Sequence, residues 1–236
     1  MIKAVLFDYG GVLSPGGTFR SHALMLSDRL GTHVPAELIE DLHRAFRMGG
    51  ISTAAFVASV HERTPRRKRS LDEQSWNWPD LLRRHERVYC LAHGLRSRGV
   101  RTGILSNVWP PLADALAQAG AYEGFDPVVL SCEAGYAKPD PVIFHLALGR
   151  LGLAADDVLF VDDQPRHLAA AAGVGMRTLL ATDERQLGRD LVTLLGLPEL
   201  LEPAFREPDP ASAAGRFVPP DANPEPGMPS EPPPGQ

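Results

Sequence analysis

Several features that define whole classes of protein are scarce or missing in this sequence. It has two cysteines, Cys90 and Cys132, which are too few for a disulfide framework, so we expect reduced thiols and a cytoplasmic protein. No apolar run approaches the roughly 18 residues of a membrane span, and Asp8 interrupts the N-terminal run before it resembles a signal peptide. The net charge of −5 argues against nucleic-acid binding through bulk electrostatics. We therefore predict no nucleic-acid partner and no membrane partner, and the oligomeric state stays open.

The last 34 residues, 203–236, differ in composition from the rest of the chain. They hold 11 of the 22 prolines and, apart from alanine and proline, only four hydrophobic residues. Such a segment buries too little apolar surface to offset the conformational entropy that it would lose on folding. We predict a disordered proline-rich tail over 203–236, which leaves enough chain before it to build a core.

Short apolar runs alternate with helical patterns along much of the remaining chain. Five runs have the composition of buried strands: 2–7, 100–105, 127–130, 157–161 and 178–180. Four segments between or after them have apolar residues at the three- and four-residue spacing of helices: 111–119, 141–151, 166–172 and 184–195. Strands that alternate with helices predict an α/β fold with a parallel sheet.

Residues 14–98 interrupt this alternation. They show helical periodicity and little strand character, with expected helices at 19–30, 35–48, 53–62 and 78–97. We predict a helical insertion after the first strand, so that the core consists of residues 1–13 and 99–202. Two histidines of the insertion, His33 and His43, have no metal-ligand spacing and are expected on its surface.

Polar side chains follow three of the predicted strands. In parallel α/β sheets, ligands bind beyond the carboxyl ends of the strands, so these side chains should converge on one crevice. A single aspartate at a turn is more often a solvated turn residue, but the full set of carboxylates, hydroxyl and amide, together with the nearby Lys138, predicts a site for Mg²⁺ and a phosphate. The residues that follow the strands are Asp8, Ser106, Asn107, Asp162 and Asp163.

The order of these residues resembles the haloacid dehalogenase-like (HAD) hydrolase superfamily, and within it the phosphatase-like subfamily IA. The resemblance covers about residues 2–185 and implies a Rossmann-like parallel core with residues 14–98 as an inserted helical cap. The motifs that carry it are Asp8-Tyr9-Gly10-Gly11-Val12, Leu105-Ser106-Asn107, Lys138-Pro139-Asp140-Pro141 and Asp162-Asp163 followed by Ala172-Gly173-Val174-Gly175-Met176.

The resemblance implies a nucleophile and a metal site. Asp8 would attack phosphorus, form an aspartyl-phosphate and also bind Mg²⁺. The backbone carbonyl of Gly10 and the carboxylate of Asp163 would complete the protein ligands. Asp162 would hold Lys138 or a water molecule of the metal, and which of the two adjacent acids contacts the metal stays open.

The resemblance also implies a phosphate site. Ser106 and Lys138 would hold the oxygens of the transferring phosphoryl group, assisted by the backbone amide of Asn107. Arg166 and His167 follow the acidic pair where a helix begins, and we expect them to border the site.

One position departs from the family pattern. Most family phosphatases have a second aspartate two residues after the nucleophile, as the general acid and base, but here that residue is Gly10. The dehalogenase branch has a tyrosine at that position and uses no metal, whereas the tyrosine here is Tyr9, so we do not expect a dehalogenase. Two hypotheses follow: a Mg²⁺-dependent phosphatase of small phosphorylated metabolites, or a catalytically reduced HAD scaffold that acts as a binding or regulatory protein.

Overall fold

A five-stranded parallel sheet lies at the centre of the computed structural model, which describes residues 1–15, 19–71 and 82–205. The strand order is β3-β2-β1-β4-β5, so the first strand of the chain lies in the middle of the sheet. The predicted α/β fold with a parallel sheet is therefore confirmed. The strands are β1 (Ala4–Phe7), β2 (Arg101–Ser106), β3 (Val128–Leu130), β4 (Val158–Asp162) and β5 (Arg177–Leu180).

The central strands are apolar on both faces because both faces of the sheet are covered. Every residue of β1 and β4 is buried, which is why their sequences are continuous apolar runs instead of alternating ones. Gly103 in β2 is required by close packing. A Cβ atom there would lie 2.6 Å from the carbonyl oxygen of Pro127 and 2.7 Å from the side chain of Leu6.

Helices occupy much of residues 14–98, as the periodicity predicts. The bounds are α1 (Phe19–Leu30), α2 (Ala36–Arg47), α3 (Thr53–Arg63) and α4 (Glu86–Ser97). The helix expected over 78–97 is wrong at residues 83–85, which are not helical, and residues 72–81 lie outside the described part of the chain. The helix begins after His85, whose ψ of 83° is not helical and whose backbone N–H donates to the carbonyl of Leu13 at 2.8 Å.

The remaining helices follow the later strands along the chain. Asp140 begins one of them, since its side chain accepts a hydrogen bond from the backbone N–H of Val142 at 2.9 Å, and Pro141 occupies the first turn. This cap fixes the end of the loop that carries Lys138. The bounds are α5 (Pro110–Gln118), α6 (Ser131–Ala134), α7 (Pro141–Leu151), α8 (Pro165–Gly173), α9 (Glu184–Leu195) and α10 (Leu201–Phe205).

The described fold extends to Phe205, so α10 includes the first three residues of the predicted tail. Ala204 is buried, and the ring of Phe205 lies against Gly188 of α9. Residues 206–236 lie outside the described part, so disorder there stays a prediction, as does the division into core and cap. Among the described helices, none combines the length and the apolar composition that a membrane span requires.

Candidate active site

The carboxyl ends of three strands bring Asp8, Ser106 and Asp162 to one edge of the sheet. Asp8 directly follows β1, the central strand. Its two neighbours in the sheet are β2, which ends at Ser106, and β4, which ends at Asp162. The backbone N–H of Asp8 donates to the carbonyl of Val161 at 2.8 Å. All three side chains are buried, with residue exposures of 5%, 3% and 0%. The convergence predicted from the strand ends is present.

Lys138 joins two of these carboxylates from the loop before α7. Its Nζ lies 2.9 Å from Oδ1 of Asp8 and 2.7 Å from Oδ2 of Asp162, and its side chain is completely buried. The side chain of Asn107 holds this loop. Its Oδ1 accepts the backbone N–H of Lys138 and its Nδ2 donates to the carbonyl of the same residue, both at 2.8 Å. The position of the ammonium therefore depends on a hydrogen-bonded pair that residue spacing alone does not reveal.

The charges of this cluster compensate one another. Burial alone would lower the pKa of Lys138, but the charges of Asp8 and Asp162 outweigh it and raise that pKa. Burial raises the pKa of Asp8, while the ammonium of Lys138 and a hydrogen bond from Ser106 oppose the shift. Burial outweighs these two partners, so the pKa of Asp8 stays above its usual value, and Lys138 and Ser106 only limit the shift.

Both oxygens of Asp162 already accept hydrogen bonds. Oδ2 faces Lys138, Oδ1 accepts the backbone N–H of Gln164 at 2.8 Å, and Nδ1 of His167 lies 3.1 Å from each oxygen. Burial opposes ionisation, but Lys138 and His167 hold the pKa of Asp162 below its usual value. The expectation that His167 borders the site is confirmed, and its contact is with Asp162.

Asp163 differs from Asp162 in its hydrogen bonding and in the direction of its pKa shift. Its Oδ1 is buried and has no hydrogen-bond partner. Burial and the charges of Asp8 and Asp162 raise the pKa of Asp163 to about 6. Gly11 makes room for it, because a Cβ at Gly11 would lie 2.6 Å from Oδ2 of Asp163, and the φ of Gly11 is 81°. A half-buried carboxylate with one oxygen that accepts no hydrogen bond, close to a second carboxylate, has the properties of a cation ligand.

The C-terminal end of α2 reaches the same edge of the sheet. The hydroxyl of Ser131, directly after β3, donates to the carbonyl of Arg47 at 2.6 Å. The same hydroxyl accepts the backbone N–H of Val108 at 3.0 Å. Because Val108 follows Asn107, one serine connects the last turn of α2 to the segment that carries Ser106 and Asn107. The sequence contains no signal for this contact.

Two histidines lie where α2 meets the segment after β2. His43 is buried, and its Nε2 lies 3.1 Å from Nδ1 of His22. Both rings pack against Trp109, with centroid distances of 6.0 Å for His43 and 4.5 Å for His22. The surface position predicted for His43 is therefore wrong, because α2 turns this face toward Trp109. His33 is exposed, as predicted.

Replacing Lys138 with Met is expected to lower the free energy of unfolding by about 3–5 kcal/mol, since Asp8 and Asp162 would stay buried without their counter-charge. The measurement is urea-induced unfolding at neutral pH. Adding Asp8→Asn in the same chain should recover part of the loss because it removes one of the two carboxylates. Lys3→Met is the matched control, since Lys3 forms an exposed ion pair with Asp157 and should change stability little. A free energy of unfolding that is the same in Lys138→Met as in the natural protein would show that the buried ammonium does not stabilise the fold.

Three comparisons place this chain among known proteins. The profile of haloacid dehalogenase-like hydrolases matches residues 2–175. Bifunctional epoxide hydrolase 2 of Sus scrofa is 33% identical over 145 residues, which cover 58% of this chain and 24% of that protein. A sesquiterpene phosphatase of Aspergillus oryzae is 26% identical over 206 residues, which cover 82% of this chain and 97% of that protein. A HAD-family enzyme from Bacteroides thetaiotaomicron, solved as a magnesium complex, is 25% identical with a TM-score of 0.63, covering 77% of this chain and 95% of that one.

The matched region contains every residue of the site described above. This chain spans 24% of the length of the porcine relative, so only part of that protein is comparable. The profile, in contrast, extends from β1 through α8 and includes Asp8, Ser106, Lys138 and the acidic pair. The chain belongs to the haloacid dehalogenase-like hydrolase family.

Proposed function

We propose that this protein is a Mg²⁺-dependent phosphatase of small phosphorylated metabolites, with Asp8 as the nucleophile. The observation that carries the proposal is the buried ammonium of Lys138 between Asp8 and Asp162. An ammonium at this point neutralises the nucleophile and is placed to bind an oxygen of a phosphoryl group that approaches it. The match to a sesquiterpene phosphatase over most of both chains supports the same class of reaction.

The donor set at the edge of the sheet fits Mg²⁺, which prefers carboxylate and carbonyl oxygens. We assign Asp8, Asp163 and the backbone carbonyl of Gly10 as its protein ligands, because the buried Oδ1 of Asp163 has no other partner. Asp8, Asp162 and His167 also offer atoms within 4.8 Å of one another. That grouping is less suitable, since Asp162 is already hydrogen-bonded through both oxygens and His167 offers nitrogen. When bound, Mg²⁺ would stabilise the negative charge of the phosphoryl group.

The proposed reaction uses these residues in two steps. A carboxylate oxygen of Asp8 attacks phosphorus, the bond from phosphorus to the leaving oxygen breaks, and an aspartyl-phosphate forms. Ser106 and Lys138 donate hydrogen bonds to the phosphoryl oxygens. Water then hydrolyses the aspartyl-phosphate, which releases inorganic phosphate and restores Asp8. Gly10 has no side chain to protonate the leaving oxygen, so the leaving group departs with little assistance at that position.

Gly10 is also the observation that favours a second candidate function. A HAD scaffold without its general acid would bind phosphate or a partner and turn over little or nothing. The complete set of Asp8, Ser106, Lys138 and Asp163 favours the phosphatase, because a scaffold that only binds phosphate does not require a carboxylate beside a buried ammonium at the point of attack.

Phosphate release from an aryl phosphate and from a panel of phosphorylated metabolites, measured with and without Mg²⁺, tests the proposal. We expect turnover that stops in excess chelator, and a melting temperature that rises with Mg²⁺ because the ion binds the folded state. Asp163→Asn should abolish the Mg²⁺-dependent stabilisation, whereas Asp156→Asn, at an exposed acid, should keep it. Full turnover in chelator would contradict the metal assignment. Phosphate binding without any turnover would favour the scaffold.

A further inference from the structure

Arg47, the last residue of α2, is a half-buried cation for which the described residues provide no acidic partner. Its Nε is buried without a hydrogen-bond acceptor. Burial and the positive charges of Arg166 and Arg44 all lower the pKa of Arg47. Arg44, on the same helix, is different: its guanidinium lies 3.5 Å from the carboxylate of Glu40, and its side chain is 63% exposed. The two arginines are therefore in contrasting environments.

Arg47 lies beside the catalytic edge of the sheet. Its carbonyl is held by Ser131, which also binds the backbone of Val108. Arg166, whose charge acts on Arg47, donates from Nη2 to Oε1 of Gln164 at 2.9 Å. The backbone of Gln164 is in turn bonded to Asp162. One arginine thus comes from the end of α2, with its backbone bonded to the residue after β3, and the other from the start of α8, and the charge of Arg166 acts on Arg47.

Among the described residues, the titratable side chains whose charges interact with Arg47 do not compensate its charge. Burial, together with the charge of Arg47, lowers the pKa of His22 to about 4 and that of His43 to about 2, so both are neutral at neutral pH. The other two charges that act on Arg47 are positive. A partly desolvated cation among neutral and positive groups is unfavourable unless an anion from outside compensates it.

We propose that Arg47, assisted by Arg166, binds a second anionic group of the substrate, remote from the phosphoryl group that is transferred. The inference rests on the proposed phosphatase function and narrows its substrates to phosphoric monoesters that also carry a carboxylate or a second phosphate. The transferring phosphoryl group has its own partners in Lys138 and Ser106. A guanidinium binds carboxylate or phosphate through two parallel hydrogen bonds, which makes Arg47 suited to select such a group.

The test compares phenyl phosphates that carry an ω-carboxyalkyl chain of increasing length with their primary amides, which have nearly the same size and leaving group. For the chain length that fits, the value of kcat/KM should favour the carboxylate by about 10- to 100-fold, the range expected for a hydrogen-bonded charge pair. The effect should appear mainly in KM, since the group is remote from the reacting atoms. Arg47→Gln should abolish the preference, and Arg47→Lys should keep part of it because the charge remains without the planar guanidinium.

Arg44→Gln is the matched control, because it removes a positive charge from the same helix and should leave the preference intact. Equal kcat/KM values for acid and amide in the natural protein, or a preference that survives in Arg47→Gln, would overturn the inference while leaving the phosphatase proposal in place. Calorimetry with the corresponding non-hydrolysable phosphonates separates the anion subsite from the phosphatase function. A carboxylate preference in binding that requires Arg47, without turnover of any phosphate, would uphold the subsite and refute the phosphatase.

Discussion

Asp8→Asn is expected to lower kcat for phosphoric monoesters by about four to six orders of magnitude, the loss typical of removing a nucleophile. An amide oxygen cannot form the aspartyl-phosphate, and it leaves Lys138 with a single carboxylate partner. The measurement is phosphate release in the presence of Mg²⁺, combined with trapping of labelled phosphate on the protein after acid quenching. The natural chain should carry the label, and Asp8→Asn should not.

The control for Asp8→Asn has to show whether a loss of activity comes from the missing nucleophile or from a loss of folded protein. Asp156→Asn changes an exposed acid in the turn before β4 and should leave kcat unchanged. The two variants should both unfold cooperatively, since asparagine has the shape of aspartate and burial already disfavours the ionised form of Asp8. Turnover at the natural rate in Asp8→Asn would exclude the covalent mechanism. Label on a different residue would reassign the nucleophile.

The sheet and the residues at its edge were predictable because local patterns determine them. The run predicted at 100–105 is strand β2 at Arg101–Ser106, and the run at 157–161 is β4 at Val158–Asp162. Strands buried on both faces require continuous apolar sequence, and their ends coincide with the first polar residue. The same reasoning predicts that Asp8 and Ser106 converge on one crevice at the carboxyl ends of the strands.

Several contacts that were not predictable join residues far apart in the sequence. The helical periodicity continues through residues 83–85, but His85 has a non-helical ψ of 83° and its backbone N–H is bonded to the loop after β1, and α4 begins at Glu86. His43 has the sequence surroundings of a surface residue and is buried only because α2 packs it against Trp109. The hydrogen bonds that separate the roles of Asp162 and Asp163 likewise depend on where Lys138, Gln164 and His167 lie in the fold.

Gly10 leads to the second large expected effect, which concerns the leaving group. Without a carboxylic acid at this position, the leaving oxygen departs nearly unprotonated, so the rate should fall steeply as the leaving alcohol becomes more basic. We expect the protein to favour aryl phosphates, acyl phosphates and sugar 1-phosphates over the corresponding sugar 6-phosphates. Hydrolysis of the aspartyl-phosphate should also be slow, because no carboxylate at position 10 activates water, and a rapid release of the first equivalent of alcohol should precede steady turnover.

Gly10→Asp should reverse this selectivity by restoring an acid. We expect kcat/KM to rise for alkyl phosphates by about 10²–10⁴-fold, the contribution of a positioned general acid, and to change much less for aryl phosphates. The substitution is made at Gly10 and not at Gly11. Gly11 has a φ of 81°, and a Cβ atom there would lie 2.6 Å from Oδ2 of Asp163. Gly10→Asn is the matched control, because it adds the same volume without a transferable proton.

The measurement is a plot of log(kcat/KM) against leaving-group pKa for the three proteins. The natural protein should give a steep negative slope, Gly10→Asn the same slope, and Gly10→Asp a shallow one. A shallow slope in the natural protein would show that another residue already protonates the leaving oxygen, and Gly10 would then not limit the reaction.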